Sequence, residues 1–159
     1  ADVHLRPALQ LTGSDMGIAA YQVKISGGIS EEVFVTTTDG RFLTRSLSDR
    51  GEREGELRAE PGTVLLDQEV AHHYHFLVNS SAGTGTVNFL VPREGRLHQL
   101  ALSEVGRESI EISGQSVDAM HFRLGEGSDA REIWVDGMGR VLRVDHSALA
   151  YSATRSDLP

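Results

Sequence analysis

The sequence predicts a mainly β fold of about ten short antiparallel strands, arranged as a sandwich, barrel or half-barrel, with one central α-helix near residues 67–79. Three observations predict it. Segments that alternate apolar and polar residues recur every ~8–12 residues, each bounded by turn-forming residues. Glycine is abundant at 17 and proline scarce at 4, which suits many short strands joined by tight turns. The alternation is interrupted once, at residues 67–79, where apolar residues recur at helical spacing.

Residues 3–11 alternate loosely and contain Pro7. Proline lacks a ladder donor, so this segment reads as an edge strand. Residues 12–15 turn, and residues 18–26 form a strand closed by Gly27 and Gly28. Residues 32–38 and 41–47 are β-rich and flank Asp39-Gly40, a strong signal for a two-residue hairpin. Residues 48–56 carry Asp49, Arg50, Glu52, Arg53, Glu54 and Glu56 and read as a solvated hairpin tip. A strand resumes over residues 57–60, and Pro61-Gly62 turns.

Asp67 is a good N-cap for the helix, and Glu69 suits the positive end of its dipole. Val70, His73, Tyr74 and Leu77 fall at i, i+3, i+4 and i+7, which is one helical face. The Ser/Gly stretch at residues 79–85 stops the helix. Strands follow at residues 86–92, 97–103 and 108–113, with Ile110 and Ile112 inward. Residues 117–124 place Met120, Phe122 and Leu124 on one face and Ala119 and His121 on the other. Residues 131–136 and 140–146 form a second hairpin around Gly137-Met138-Gly139, and residues 148–154 make a last strand. The length of 159 residues fits a single β-rich domain over 1–159.

Composition narrows the function classes. The net charge is −8, from 23 acidic and 15 basic residues, which counts against a nucleic-acid or anionic-membrane surface. Without cysteine there are no disulfides, thiolate metal sites or cysteine nucleophile. No apolar run approaches the ~20 residues of a transmembrane helix. The chain opens at Ala1-Asp2-Val3, as an exported protein trimmed of its leader, or a truncated chain, would.

Chemistry-bearing motifs are few. Of seven histidines, His72 and His75 are spaced i, i+3 and could chelate a metal if a third ligand came from elsewhere. That arrangement would suit a metal-dependent hydrolase. The His-Glu-x-x-His spacing is absent, and the plainer reading is the polar edge of an amphipathic helix. No Gly-x-Ser-x-Gly elbow is present, and Gly83-Thr84-Gly85 follows a helix instead of opening one, so it is no phosphate loop. Asp136 opens a turn, which is ordinary aspartate behaviour. The expectation is therefore a protein that is not an enzyme and needs no cofactor.

Five short elements carry a resemblance: Leu65-Leu66-Asp67 entering the helix, His73-Tyr74 on it, Val91-Pro92 ending a strand, a Gly-centred hairpin, and Trp134-Val135-Asp136 followed by Gly139-Arg140-Val141-Leu142-Arg143-Val144. Over residues 63–147 the chain resembles a family of bacterial cell-envelope proteins of unknown function. The resemblance implies a strongly curved antiparallel sheet, a half-barrel or open barrel, wrapped around one helix, similar to the half-barrel of periplasmic lipoprotein carriers. It also implies a periplasmic or cell-envelope location.

A sheet curved around a helix leaves a concavity lined by inward residues. Tyr74, Leu77, Phe89, Met120, Phe122 and Trp134 are the candidate ligand-binding residues there. Trp134, the single tryptophan, serves equally as a core anchor. The leading expectation is a binding or carrier module for a lipid or other apolar ligand. The alternatives are a structural protein that pairs with an envelope partner through its sheet edges, the Pro7 strand among them, and the metal-dependent hydrolase.

Overall fold

The computed structural model describes residues 4–12, 17–27, 30–80 and 84–157. Two compact units are present: Ala1–Asp67 with Phe89–His98, and Gln68–Asn88 with Gln99–Pro159.

In the first unit β1 (His4–Thr12), β2 (Gly17–Ser26), β3 (Glu31–Thr38), β4 (Arg41–Ser48) and β5 (Gly51–Arg58) form a five-stranded antiparallel meander in chain order. β1 is an edge strand, as Pro7 predicts, with Pro7 opposite Val23. Thr38 faces Arg41, so only Asp39 and Gly40 turn the β3–β4 hairpin. Their φ angles of 50° and 72° are the left-handed pair of a type I′ turn, whose twist matches the flanking strands. Tyr21, Val23, Val33 and Val35 alternate inward and pack with Phe42, Leu65 and Leu90.

Residues 48–56 are not a solvated tip. β4 continues through Ser48, and β5 starts at Gly51. The charges that suggested a loop are met across the strands: Arg41 pairs with Glu56, Arg45 with Glu52 and Glu54, and Arg53 with Glu31. Each exposed pair contributes little alone. Together they satisfy a ladder that needs no apolar side, and the charged β5 guards that sheet edge.

Asp67 is not an N-cap either. Its carboxylate is buried, accepting from the Tyr21 hydroxyl at 2.6 Å, from Arg93 Nη2 at 2.5 Å and from Arg93 Nε at 3.2 Å. The apolar run before it is extended. β6 (Val64–Leu65) pairs in parallel with Phe89 and Leu90 of β7 (Gly85–Val91), and the Leu66 N–H donates to the Leu90 carbonyl at 2.9 Å. Burial, then the charge of Asp67 and the bond to it, push the Tyr21 phenol far above its ordinary range, and Arg93 offsets part of this. Tyr21 is therefore a permanent donor.

In the second unit the helix α1 is shorter than predicted, His73–Ser80, and residues 71–72 are turn. Its predicted face is right: Val70, His73, Tyr74 and Leu77 are all buried. The Tyr74 hydroxyl donates to the Gln68 carbonyl at 3.0 Å. No described helix is long and apolar enough to cross a membrane.

The remaining strands are β8 (Arg96–Ile112), β9 (Gln115–Leu124), β10 (Arg131–Val135), β11 (Val141–His146) and β12 (Tyr151–Thr154). With β6 and β7 they form a seven-stranded sheet in the order β12-β11-β10-β9-β8-β7-β6, curled into a half-barrel. The expected single antiparallel sheet of about ten strands is thus corrected to twelve strands in two sheets among the described residues, the larger one mixed because of the parallel β6–β7 pair.

Two expected strands, 97–103 and 108–113, are one strand of 17 residues. A bulge between Glu104 and Gly106, with Gly106 at φ 149°, breaks the alternation that suggested two strands. The last strand starts late, because Ser147–Leu149 forms a 3₁₀ turn that ends on left-handed Ala150. Val3, the turn residues 13–15, Gly28 and residues 81–83 of the Ser/Gly stretch lie outside the described residues.

Removing the carboxylate of Asp67 takes a buried ion-pair partner from the largely buried Arg93 and an acceptor from the Tyr21 hydroxyl, so Asp67→Ala should cost about 3–5 kcal/mol. Tyr21→Phe, which deletes one bond to a charged acceptor, should cost about 1.5–3 kcal/mol. Urea unfolding of both variants checks this. An Asp67→Ala change below about 0.5 kcal/mol would remove Asp67 from its structural role.

Candidate functional site

The histidine-bearing segment lines a cavity of about 490 Å³ in the second unit. Its apolar wall is Ala71, just ahead of α1, with Val141 and Leu142 of β11 and Ala153 of β12. Its polar wall is His72, His75, Arg140, Thr154 and Arg155.

Each polar group is positioned by local chemistry. Arg140 ends the β10–β11 loop, which folds around Asp136. Asp136 Oδ1 accepts the N–H groups of Met138 and Arg140 at 2.9 Å each, and Oδ2 accepts Arg140 Nε at 2.7 Å. Gly139 sits at φ 75°, a left-handed conformation that favours glycine, and a Cβ there would come within 2.8 Å of Asn79 Oδ1, so that amide would have to shift. His75 Nδ1 lies 2.8 Å from the Gly139 carbonyl and 3.1 Å from Asn79 Nδ2. Asn79 donates to the His75 carbonyl at 2.7 Å. Arg155 follows β12, and its N–H bonds the Leu142 carbonyl at 2.8 Å. Its side chain pairs with Asp157 at 2.9 Å, while its Nε is buried with no hydrogen-bond partner among the described residues.

Burial alone would raise the Asp136 carboxyl. The Arg140 N–H, its guanidinium and the Met138 N–H outweigh that and hold it below the usual carboxylate range.

The six expected ligand-binding residues lie elsewhere, and none lines this cavity. Tyr74 and Leu77 have no exposed surface, and Phe122 is 6% exposed. Phe89 belongs to the first unit, where it is buried and its ring stacks on His98 at 5.4 Å. Met120 is half-buried and lines a separate cavity of about 380 Å³ with Arg107, Glu108, Asp118 and Asp136.

Trp134 packs against the cluster of Ile112, Ala119 and Leu142. It is also the centre of a row across four strands: Arg143, Trp134, His121 and Gly106 stand in register. The His121 ring stacks on Trp134 at 4.5 Å, and the Arg143 guanidinium lies 5.2 Å from the indole centroid. Glu108 accepts from the indole N–H and lies 3.1 Å from His121 Nδ1. Glu132 holds His121 Nε2 at 2.5 Å and Arg123 at 2.7 Å.

His72 and His75 both line the 490 Å³ cavity, although His72 lies in the turn before α1 and not on the helix as their spacing suggested. Among the described residues no group of three or more His, Asp or Glu is placed to hold a metal ion. Sequence reasoning missed Arg140 and Arg155. The available signal was the Asp136-x-x-x-Arg140 spacing within a hairpin loop; nothing local marks Arg155.

A depressed folded-state pKa makes the Asp136 contribution to stability full above its unfolded value, about 3.9, and lost as pH falls through the lower folded value. Asp136→Asn should therefore be less stable than the parent at pH 7, and the gap should close in acid below about pH 3–4. Urea titrations from pH 7 to pH 2.5 check this, and a gap that does not change with pH would refute it. Comparison with protein-family models, with curated proteins and with solved structures finds no match for this chain.

Proposed function

We propose that this chain is a non-catalytic binding module of the bacterial cell envelope, that its ligand is apolar, and that the ligand sits in the cavity between residues 71–75 and the β11–β12 edge. The observation that carries the reading is the cavity itself. Its ~490 Å³ falls in the range of small-molecule sites, and Ala71, Val141, Leu142 and Ala153 give it an apolar wall beside the polar one.

This moves the ligand's seat away from the helix face. Tyr74 and Leu77 are fully buried, so a guest among them would first have to displace a neighbour from a close-packed interior. The envelope location rests on the sequence resemblance, and the curled half-barrel sheet agrees with it. The non-catalytic reading rests on the absence of a nucleophile elbow or phosphate loop from the sequence. A second reading, pairing of an envelope partner with a sheet edge, is favoured at β1. Of the two edges of the five-stranded sheet, β5 is guarded by an ion-pair ladder, whereas β1 carries Leu5, Leu9 and Leu11 with Pro7 as its main safeguard.

A neutral apolar fluorophore, N-phenyl-1-naphthylamine, should bind the full chain saturably at one site. Filling the cavity with Ala153→Trp should weaken binding at least about 10-fold without lowering the unfolding midpoint. No saturable binding, or unchanged binding in Ala153→Trp, would refute the proposed seat.

A further inference from the structure

We infer that the ligand of this cavity is an amphipathic anion, a carboxylate on a single acyl chain, whose head is held by Arg140 and Arg155; the inference rests on the reading of the cavity as an apolar ligand's seat. The chain carries a net charge of −8, yet no acidic side chain lines this cavity, while two arginines and two histidines do. The other sizeable cavities differ. The ~380 Å³ cavity sets Glu108, Asp118 and Asp136 against Arg107. The ~590 Å³ cavity on the first unit, beside Phe34 and Leu43, sets Glu54 and Glu56 against Arg45. Both would repel an anion, and the cavity at β11–β12 would attract one.

The two arginines are held from behind. Asp136 takes Arg140 Nε, and Asp157 takes one terminal nitrogen of Arg155. Each guanidinium carries five N–H donors in a fixed fork that matches a carboxylate, so one such contact leaves donors for a ligand. The Nε of Arg155 is itself buried, so a ligand would meet the terminal nitrogens of that guanidinium. Arg140 is positioned in advance because both carboxylate oxygens of Asp136 bind its own loop. Ala71, Val141, Leu142 and Ala153 give the cavity an aliphatic side that suits a hydrocarbon tail, apart from the side where His72, His75 and Thr154 join the arginines. The fork favours a planar carboxylate head over a neutral alcohol of the same chain length, because only the anion gains charge-assisted bonds.

The test is calorimetric titration of the full chain at pH 7.5 with dodecanoate, 1-dodecanol and acetate, all below their aggregation limits. Dodecanoate should bind about 10–100-fold tighter than dodecanol, the factor set by one or two charge-assisted bonds, and acetate should not bind measurably. Arg155→Gln, whose former partner Asp157 is well exposed, should weaken dodecanoate by about 10-fold and leave dodecanol unchanged. Arg155→Lys should restore part of the loss. Equal affinity for acid and alcohol, or an Arg155→Gln variant that binds dodecanoate like the parent, overturns the anion inference and leaves the apolar reading standing. Binding of neither long-chain probe overturns both.

Discussion

The buried carboxylate of Asp67 is the constraint on which the rest of the chain's order depends. An isolated charge in the interior is too costly to keep, so Asp67 exists there only because Arg93 and Tyr21 surround it. Those partners come from β2 and from the turn after β7, segments far apart in sequence. The apolar run before it is thereby committed to the sheet as β6 and ends at one fixed residue. Asp67 is not the cap of α1, which begins six residues later at His73. The chain passes through turns instead, with His73, Tyr74 and His75 N–H groups bonding to Val70, Ala71 and His72 carbonyls, before α1 begins. His72 is consequently the residue before the helix and not part of its second turn.

Features set by neighbours in sequence were legible, and features set by neighbours in space were not. The Asp39-Gly40 turn needs two left-handed residues, and those two residue types supply them. The buried face of α1 was legible even at Val70, which lies outside the helix, because a turn and a helix present nearly the same side at that spacing. The β4–β5 hairpin was not legible, because its ladder of opposite charges looks like a solvated loop until the strands are paired. The bulge in β8 hid a long strand by inverting the side-chain alternation beyond it. β6 is only two residues long, too short for any periodic signal to announce its parallel pairing.

The same division explains the site. Tyr74, Leu77, Phe89 and Phe122 were recognised as inward-facing, and inward they are; alternation cannot say whether an inward side chain meets a cavity or another side chain. Trp134 illustrates the limit from the other direction. Its indole serves both an aliphatic cluster and a cross-strand row of charges, and that row exists only because four strands bring Arg143, Trp134, His121 and Gly106 into register. The Arg140 and Arg155 pair has no sequence signature, since its proximity is made by the β11–β12 pairing.

The position of the cavity follows from how the two ends of β11 are finished. At its start, five residues loop around Asp136, and this loop needs a left-handed glycine and a buried acid to close. On its edge side, β12 pairs only with residues 143–146, so the edge strand covers only part of β11 before Arg155 leaves it. Val141 stays only partly covered there, while Leu142, opposite in parity, is fully buried. An apolar shelf thus remains beside the tight loop, and Arg140 and Arg155 both line the same cavity. Each aspartate takes a single nitrogen of its arginine, so each five-donor fork keeps N–H groups that its aspartate does not use. On the proposed reading, the aliphatic side of the cavity would take the length of an apolar molecule and the two arginines its anionic end.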